Sequence, residues 1–195
     1  MNETLQQKIA RVTREQVDVV AYDPQWPELF EQEKDHLFSC LPRDLITRIE
    51  HFGSTAVPGL AAKPIVDMLI EVTSLQRTKD EVPSILEPQG YDYFWRPSFG
   101  DDTPPWYAWF IKRDASGNRT HHLHMVEQDF EHWDRLLFRD YLIEHPETAL
   151  EYSELKIRLS SEYTDDRIAY TKAKTEFVVN ITEKAEEYFR DKNRE

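Results

Sequence analysis

The chain has one cysteine, Cys40, in 195 residues, so it can form no intramolecular disulfide and no multi-thiolate metal site. Glycine is scarce too. The 5 Gly and 11 Pro are scattered singly and leave no flexible linker, repeat or low-complexity stretch. No apolar run approaches the ~20 residues that a helix needs to cross a bilayer. The opening MNETLQQKIARV also lacks the apolar centre of a signal peptide, so the expected location is cytoplasmic, with no membrane partner. Positive charge is in deficit: Lys+Arg 24 against Asp+Glu 37 give a formal net charge of −13. Phosphate-backbone binding needs a concentrated cationic face, so duplex nucleic acid is not an expected partner. A small local basic pocket remains compatible with this charge.

The chain can build a real core, because 39% of its residues are hydrophobic and 12% aromatic. At this length it should bury about 70% of its unfolded surface, as one domain with at most a helical extension. Residues 1–16 read as that extension, mostly a polar helix. Residues 17–190 read as a single domain, with a sheet part over about 17–127 and a helical part over about 128–190. Val17 to Tyr22 is β-branched and short and reads as a strand; Asp23-Pro24 then opens a helix to about Ser39. Strands are expected at Leu45 to Phe52, Ile65 to Val72, Tyr91 to Trp95, Trp106 to Lys112 and Thr120 to Val126. A helix is expected over Ser74 to Leu86, a hairpin around Ser116-Gly117-Asn118, and three helices near 130–144, 146–162 and 165–190. The fold class is α+β: a small mixed β-sheet, helices packed on one face, and a C-terminal helical bundle.

Chemistry concentrates in GSTAVPGLAAKPIVDMLIEV, from Gly53 to Val72. Gly53-Ser54 after a strand can place a backbone amide and a hydroxyl at a helix N-terminus, a ready phosphate site. Lys63 follows as a point charge suited to phosphate. Asp67 projects from the next strand, where a carboxylate could hold a divalent cation. A tight turn, a capping Ser, a surface Lys and an edge Asp would use the same residues with no function.

The string from His51 through Gly53-Ser54-Thr55 and Lys63 to Asp67 closely resembles the hallmark of the GrpB-like family, a branch of the nucleotidyltransferase superfamily. The resemblance continues in Tyr22-Asp-Pro-Gln-Trp-Pro, His121-His122-Leu-His124-Met-Val, Phe138-Arg-Asp-Tyr-Leu, His145-Pro and Tyr170-Thr-Lys-Ala-Lys174, and so spans about residues 20 to 180. It implies a nucleotidyltransferase-like fold. In some bacteria a domain of this kind is fused to dephospho-CoA kinase, which hints at nucleotide or CoA metabolism. Nucleotidyltransferase folds pair a Gly-Ser loop with two carboxylates two residues apart on a strand, which bind Mg²⁺. This chain departs from that pattern, because Leu69 stands two residues past Asp67. Glu71 shares the face of Asp67 but lies about 13 Å along the strand at ~3.3 Å per residue, too far to share an ion.

Histidines are the candidate replacements. His122 and His124 share one face of their strand, while His121, Leu123 and Met125 point to the other. Beside Asp67 they would complete a two-His-one-carboxylate set suited to Zn²⁺, Fe²⁺ or Mn²⁺ better than Mg²⁺. They could equally act as phosphate-binding cations or as a general base near neutral pH. His51 reads as structural or substrate-orienting.

Helical spacing supplies an independent signal. Glu33, Asp140, Lys156 and Lys174 each lie on an apolar stripe, so they should be paired with one another or line a polar cavity. At least one opposite-sign pair among the four is expected. Lys156 and Lys174 could also face an anionic ligand. Most of the aromatics near Arg96, Asp101 and Asp102 read as core; Trp106 or Tyr107 could stack a planar ligand.

Two functions fit these residues. One is metal-assisted nucleotidyl or related phosphoryl transfer from a nucleoside triphosphate to a small acceptor. Asp67, His122 and His124 would be its catalytic and metal residues, and Gly53, Ser54, Thr55, Lys63, Lys156 and Lys174 its phosphate-binding residues. The other is a non-catalytic module that binds a nucleotide or a CoA-like anion. The first predicts a divalent ion (Mg²⁺, Mn²⁺ or Zn²⁺) as cofactor; both predict a small anionic partner.

Overall fold

The computed structural model describes residues 4–98 and 103–192, so Asp101 and Asp102 lie outside the described residues. Five strands, β1 (Ile46–Phe52), β2 (Val66–Val72), β3 (Tyr91–Pro97), β4 (Trp106–Arg113) and β5 (Arg119–Val126), form one sheet in the order β1-β2-β5-β4-β3. The central pair β2 and β5 is parallel and every other pair antiparallel, which makes the sheet mixed, as expected. The helices are α1 (Leu5–Arg14), α2 (Trp26–Cys40), α3 (Leu75–Leu86), α4 (Arg135–Glu144), α5 (Pro146–Glu162), α6 (Arg167–Ala173) and α7 (Thr175–Lys192).

Strand β2 is central because its residues tolerate burial on both faces. Met68, Leu69 and Ile70 are fully buried, and each such side chain contributes roughly 1.5–3 kcal/mol relative to exposure. Alternation then divides the sheet. Val66, Met68 and Ile70 join Leu123, Met125, Ala108 and Phe110 in the main core with Trp26, Phe30 and Leu37 of α2 and Val82 and Leu86 of α3. The opposite face carries Asp67, Leu69, His122, His124, Tyr107 and Trp109.

That second face is not bare. Leu136 of α4 packs on Phe52, Leu69, Tyr107 and Val126 at one side. Val12 of α1 packs on Phe94 and Ile111 at the other. Between these covers the helical part closes around Val57, Leu60, Phe138, Leu142, Ala149, Tyr152 and Ile181.

Two elements differ from the sequence reading. Val17 to Tyr22 forms no strand, only a single bridge of Val20 to Ala62. The Val17 amide bonds instead to the Thr164 carbonyl, and its side chain packs on Leu159 and Tyr170. The segment is thus spent tying a loop to a helix end. The last expected helix is two, broken at Lys174.

The inward charges are only partly as spacing implies. Glu33 is 2% exposed and Lys156 1%, so both do point inward. No pair forms among the four, however. Glu33 accepts hydrogen bonds from the Tyr91 hydroxyl and the Lys112 ammonium, partners on β3 and β4 that helical spacing cannot reveal. Asp140 is half-exposed and accepts from Arg139 at 2.6 Å. Truncation of Glu33 should be costly. Glu33→Ala is expected to cost about 2–3 kcal/mol in urea unfolding, below the ~3–5 kcal/mol of a fully stranded partner, because Lys112 keeps 28% exposure. A loss under ~1 kcal/mol would place the pair in the surface class.

Candidate functional site

The parallel register of β2 and β5 sets Asp67 opposite His122 and Leu69 opposite His124. Because both strands alternate, all four side chains reach one face, and the two imidazoles arrive beside the carboxylate. His122 Nδ1 lies 3.0 Å from Asp67 Oδ1. One ligand atom from each of Asp67, His122 and His124 falls within 4.8 Å of the others. The three therefore converge as the strand parity implies.

The chain enters this site through a turn that only glycine can make. Gly53 has φ 71° and ψ −169°, a region closed to side chains. A Cβ built there would stand 2.7 Å from Asp67 Oδ2. The bare backbone lets the carboxylate rest against the turn. The chain then makes a single 3-10 turn, Ser54–Ala56, and not a helix, since Pro58 and Gly59 stop it from winding on. The expected helix N-terminus at Gly53-Ser54 is therefore absent.

Ser54 and Lys156 meet: the Lys156 ammonium donates to Ser54 Oγ at 2.9 Å and to the Ala61 carbonyl. Lys63 and Lys174 flank one buried ring, with ammonium groups 5.6 Å and 5.1 Å from the Tyr170 centroid. Thr55 is buried and bonds His51 Nε2 at 2.9 Å, with His51 stacked on Phe30. Thr55 and His51 thus brace the turn from behind, and Thr55 does not face the other phosphate-binding candidates.

The electrostatics are lopsided. Burial pushes the Lys63 ammonium well below its usual range, with the charges of Lys174 and Arg167 adding to the effect. Burial, and then Lys174, brings Lys156 down to about 6. Among the described residues none of these three lysines has a carboxylate within ion-pair distance. Asp67 is the acid they share. Burial raises its pKa, but the His122 hydrogen bond and the charges of Lys63 and Lys174 outweigh that, and the carboxyl stays ionised. One carboxylate facing three lysines, in a chain of net charge −13, makes a local basin suited to an anion.

The imidazoles are neutral. Burial lowers His122 to about 4 against the opposing pull of Asp67, and burial and the charge of Arg135 hold His124 well below the usual imidazole range. Neutral nitrogens are metal donors, and His124 Nδ1 is buried with no hydrogen-bond partner. In donor type and spacing, Asp67, His122 and His124 fit a divalent ion, which would replace the His122–Asp67 hydrogen bond.

Several neighbours were not legible in the sequence. His132, 1% exposed, packs against Tyr107 with ring centroids 4.7 Å apart, and its Nε2 has no partner. Arg96 lies over Trp109 at 4.8 Å and Tyr107 at 5.8 Å. Tyr107 is 2% exposed and so is core, not a stacking platform for a ligand. Arg119 NH1 reaches His122 Nε2 at 3.3 Å. Strand parity would put Arg119 with His121 on the other face. A bulge at Thr120, where Lys112 pairs with His121 but Arg113 with Arg119, reverses it.

Comparison with known proteins agrees with this architecture. The family described as GrpB protein matches residues 16–184. The protein YqkA of Bacillus subtilis is 35% identical over 92% of this chain, which spans 50% of YqkA's length. The glutamate-rich protein GrpB of Alkalihalophilus pseudofirmus is 34% identical, with 87% of this chain and 96% of that protein covered. A crystal structure of GrpB from Enterococcus faecalis superposes with a TM-score of 0.74 at 34% identity, covering 88% of this chain and 99% of that one. The chain belongs to the GrpB family.

Proposed function

We propose that this GrpB-family chain binds a nucleotide-like polyphosphate around Asp67 and transfers a nucleotidyl or related phosphoryl group from it to a small acceptor. The observation that carries this reading is the convergence of Asp67, His122 and His124 beside a basin of lysines with no carboxylate of their own. Lys63, Lys156 and Lys174 bind and orient the phosphates, and an arriving anion favours the charged forms of Lys63 and Lys156 that burial and the neighbouring cations disfavour without it. Ser54 steers the Lys156 ammonium. Asp67, His122 and His124 hold one divalent ion, which neutralises charge on phosphoryl oxygens when bound. Mn²⁺ or Zn²⁺ suits two neutral imidazoles better than Mg²⁺.

A second reading, binding of a nucleotide or CoA-like anion without turnover, is favoured by one feature. Leu69 is fully buried where a second acid would stand, so a two-ion arrangement has no ligand there. Thermal-shift titration with ATP and CoA, each with and without Mn²⁺, Zn²⁺ and Mg²⁺, followed by phosphorus NMR of the mixture, separates the readings. A ligand at 100 times its dissociation constant adds about 2.7 kcal/mol, which is easily read. Asp67→Asn is expected to keep the fold and lose the metal-dependent part of the shift. An unchanged metal response in that variant would remove Asp67 from the ion site.

A further inference from the structure

The cleft floor that runs from Asp67 through His122 to His124 has cations at both ends. The lysines stand at the Asp67 end, where His122 feels the charge of Lys63. At the other end stand Arg96 and Arg135, whose charges reach His124. Register explains this second group. Arg96 stands opposite Tyr107 across β3 and β4, on the face that carries Trp109 and His124, and its guanidinium lies over the Trp109 ring. Arg135 opens α4, directly before Leu136, which packs on Leu69 and Tyr107. Leu69 pairs with His124, so α4 brings Arg135 to the same end.

Among the described residues neither arginine has a carboxylate within ion-pair distance. Arg135 is exposed, yet burial among protein atoms holds its guanidinium below the usual arginine range, with Arg96 adding to the effect against the pull of Tyr107 and Asp67. A cation that water reaches and protein surrounds lines a cleft. Asp67 is reachable too, with its side chain 29% exposed. Trp109 Nε1, His124 Nδ1 and His132 Nε2 are buried at this end without a hydrogen bond. The Trp109 and His132 rings centre 6.2 Å and 6.0 Å from that of His124. An indole N–H can only donate, so the group that satisfies it is an acceptor. The guanidinium fork offers paired N–H groups to two oxygens of a carboxylate or phosphate, where lysine offers a point charge.

We propose that Arg96 and Arg135 form a second anion subsite, separate from the lysine basin, which takes a carboxylate or phosphate group of the acceptor; its assignment to the acceptor rests on the transfer reading of the Asp67 cleft. Donor phosphates at the lysine end and an anionic acceptor at the arginine end face each other across Asp67 and the imidazoles. That is the placement an in-line phosphoryl transfer uses.

Two-dimensional NMR of the ¹⁵N-labelled full chain reads the subsite through the indole N–H signal of Trp109, the ring beneath Arg96. Inorganic phosphate and acetate are titrated separately, each with and without saturating ATP and Mg²⁺. The ATP-loaded chain should still respond at Trp109 to at least one of them; phosphate alone indicates a phosphorylated acceptor, acetate alone a carboxylate. Arg96→Gln and Arg135→Gln should each weaken that response about tenfold or more, as loss of a charge-assisted hydrogen bond does. Both should change ATP affinity by less than about fivefold, the effect of a distant screened charge. Lys174→Met should show the reverse pattern. Trp26 lies in the core on the opposite face, so its indole signal should stay put and report an intact fold. The proposal is overturned by no Trp109 response to either anion, by loss of the response on ATP loading, or by an unchanged response in either arginine variant with Trp26 unperturbed. A Lys174→Met variant that loses the Trp109 response as fully as the arginine variants also overturns it, since the two ends are then one pocket. If Arg96→Gln disturbs Trp26, the exposed Arg135 decides, and an unmoved response in Arg135→Gln overturns the subsite. A chain that binds phosphate at Trp109 but does not bind ATP would sink the transfer reading and leave the subsite standing.

Discussion

Gly53→Ala is expected to damage stability and site together. Its φ of 71° and ψ of −169° are open to glycine alone, and a side chain there costs about 1–3 kcal/mol from the backbone. The added methyl would also stand 2.7 Å from Asp67 Oδ2, closer than real Cβ contacts come. Either the turn opens or the carboxylate swings away from His122, and both outcomes dismantle the convergence of Asp67 with the imidazoles. Gly59→Ala is the control. Its φ of 79° carries a backbone cost as well, yet nothing lies within 4 Å of the new methyl. Urea unfolding should therefore show both variants weakened, while thermal-shift titration with ATP and Mn²⁺ should lose its response in Gly53→Ala alone. Equal ligand responses in the two would mean that Asp67 does not depend on the turn.

Much of this site was legible because it rests on strand parity. His122 and His124 fall on one face by alternation and the run Ile65 to Val72 reads as a strand, while the parallel pairing of β2 with β5 that brings Asp67 to the same face is seen only in the fold. The family match covers residues 16–184, a span that includes the strings that carry the resemblance. What was not legible is non-local or irregular. The bulge at Thr120 reversed the parity of Arg119, and no glycine or proline marks it. The break at Lys174 lies in YTKAKTEF, which has no breaker residue either. Glu33 found its partners on strands, where helical spacing says nothing. Val17 to Tyr22 has strand propensity but meets a loop and a helix end in place of a sheet edge. Propensity settles what a segment can do; the partner it meets settles what it does.

Lys156→Met is expected to separate binding from stability more cleanly than any other change. Lys156 is 1% exposed and faces no carboxylate at ion-pair distance; its ammonium is held by Ser54 Oγ and the Ala61 carbonyl, above the Tyr152 ring. Methionine fills nearly the same volume. The substitution gives up two hydrogen bonds, at about 0.5–1.5 kcal/mol each, and leaves the Ala61 carbonyl short of a donor. It also removes the cost of holding Lys156, under burial and the charge of Lys174, without the proton it carries in the unfolded chain, a cost of comparable or larger size. Stability near neutral pH should therefore hold or rise. The pH dependence gives the sign. With the folded pKa brought down to about 6 and the unfolded one near the usual lysine value, the unfolded chain binds more protons across the interval between them. The Lys156 contribution thus makes the protein more stable as pH rises from about 6 towards 10. Lys156→Met should flatten that rise in melting temperature. Binding should move the other way: an anion beside the ammonium favours its charged form, so ligand capture takes up a proton at neutral pH, and the Met variant loses both the proton and most of the affinity. Calorimetric titration of ATP in two buffers of different ionisation heat reads that proton. A Met variant that is strongly destabilised yet binds as before would show that Lys156 serves the fold and not the ligand.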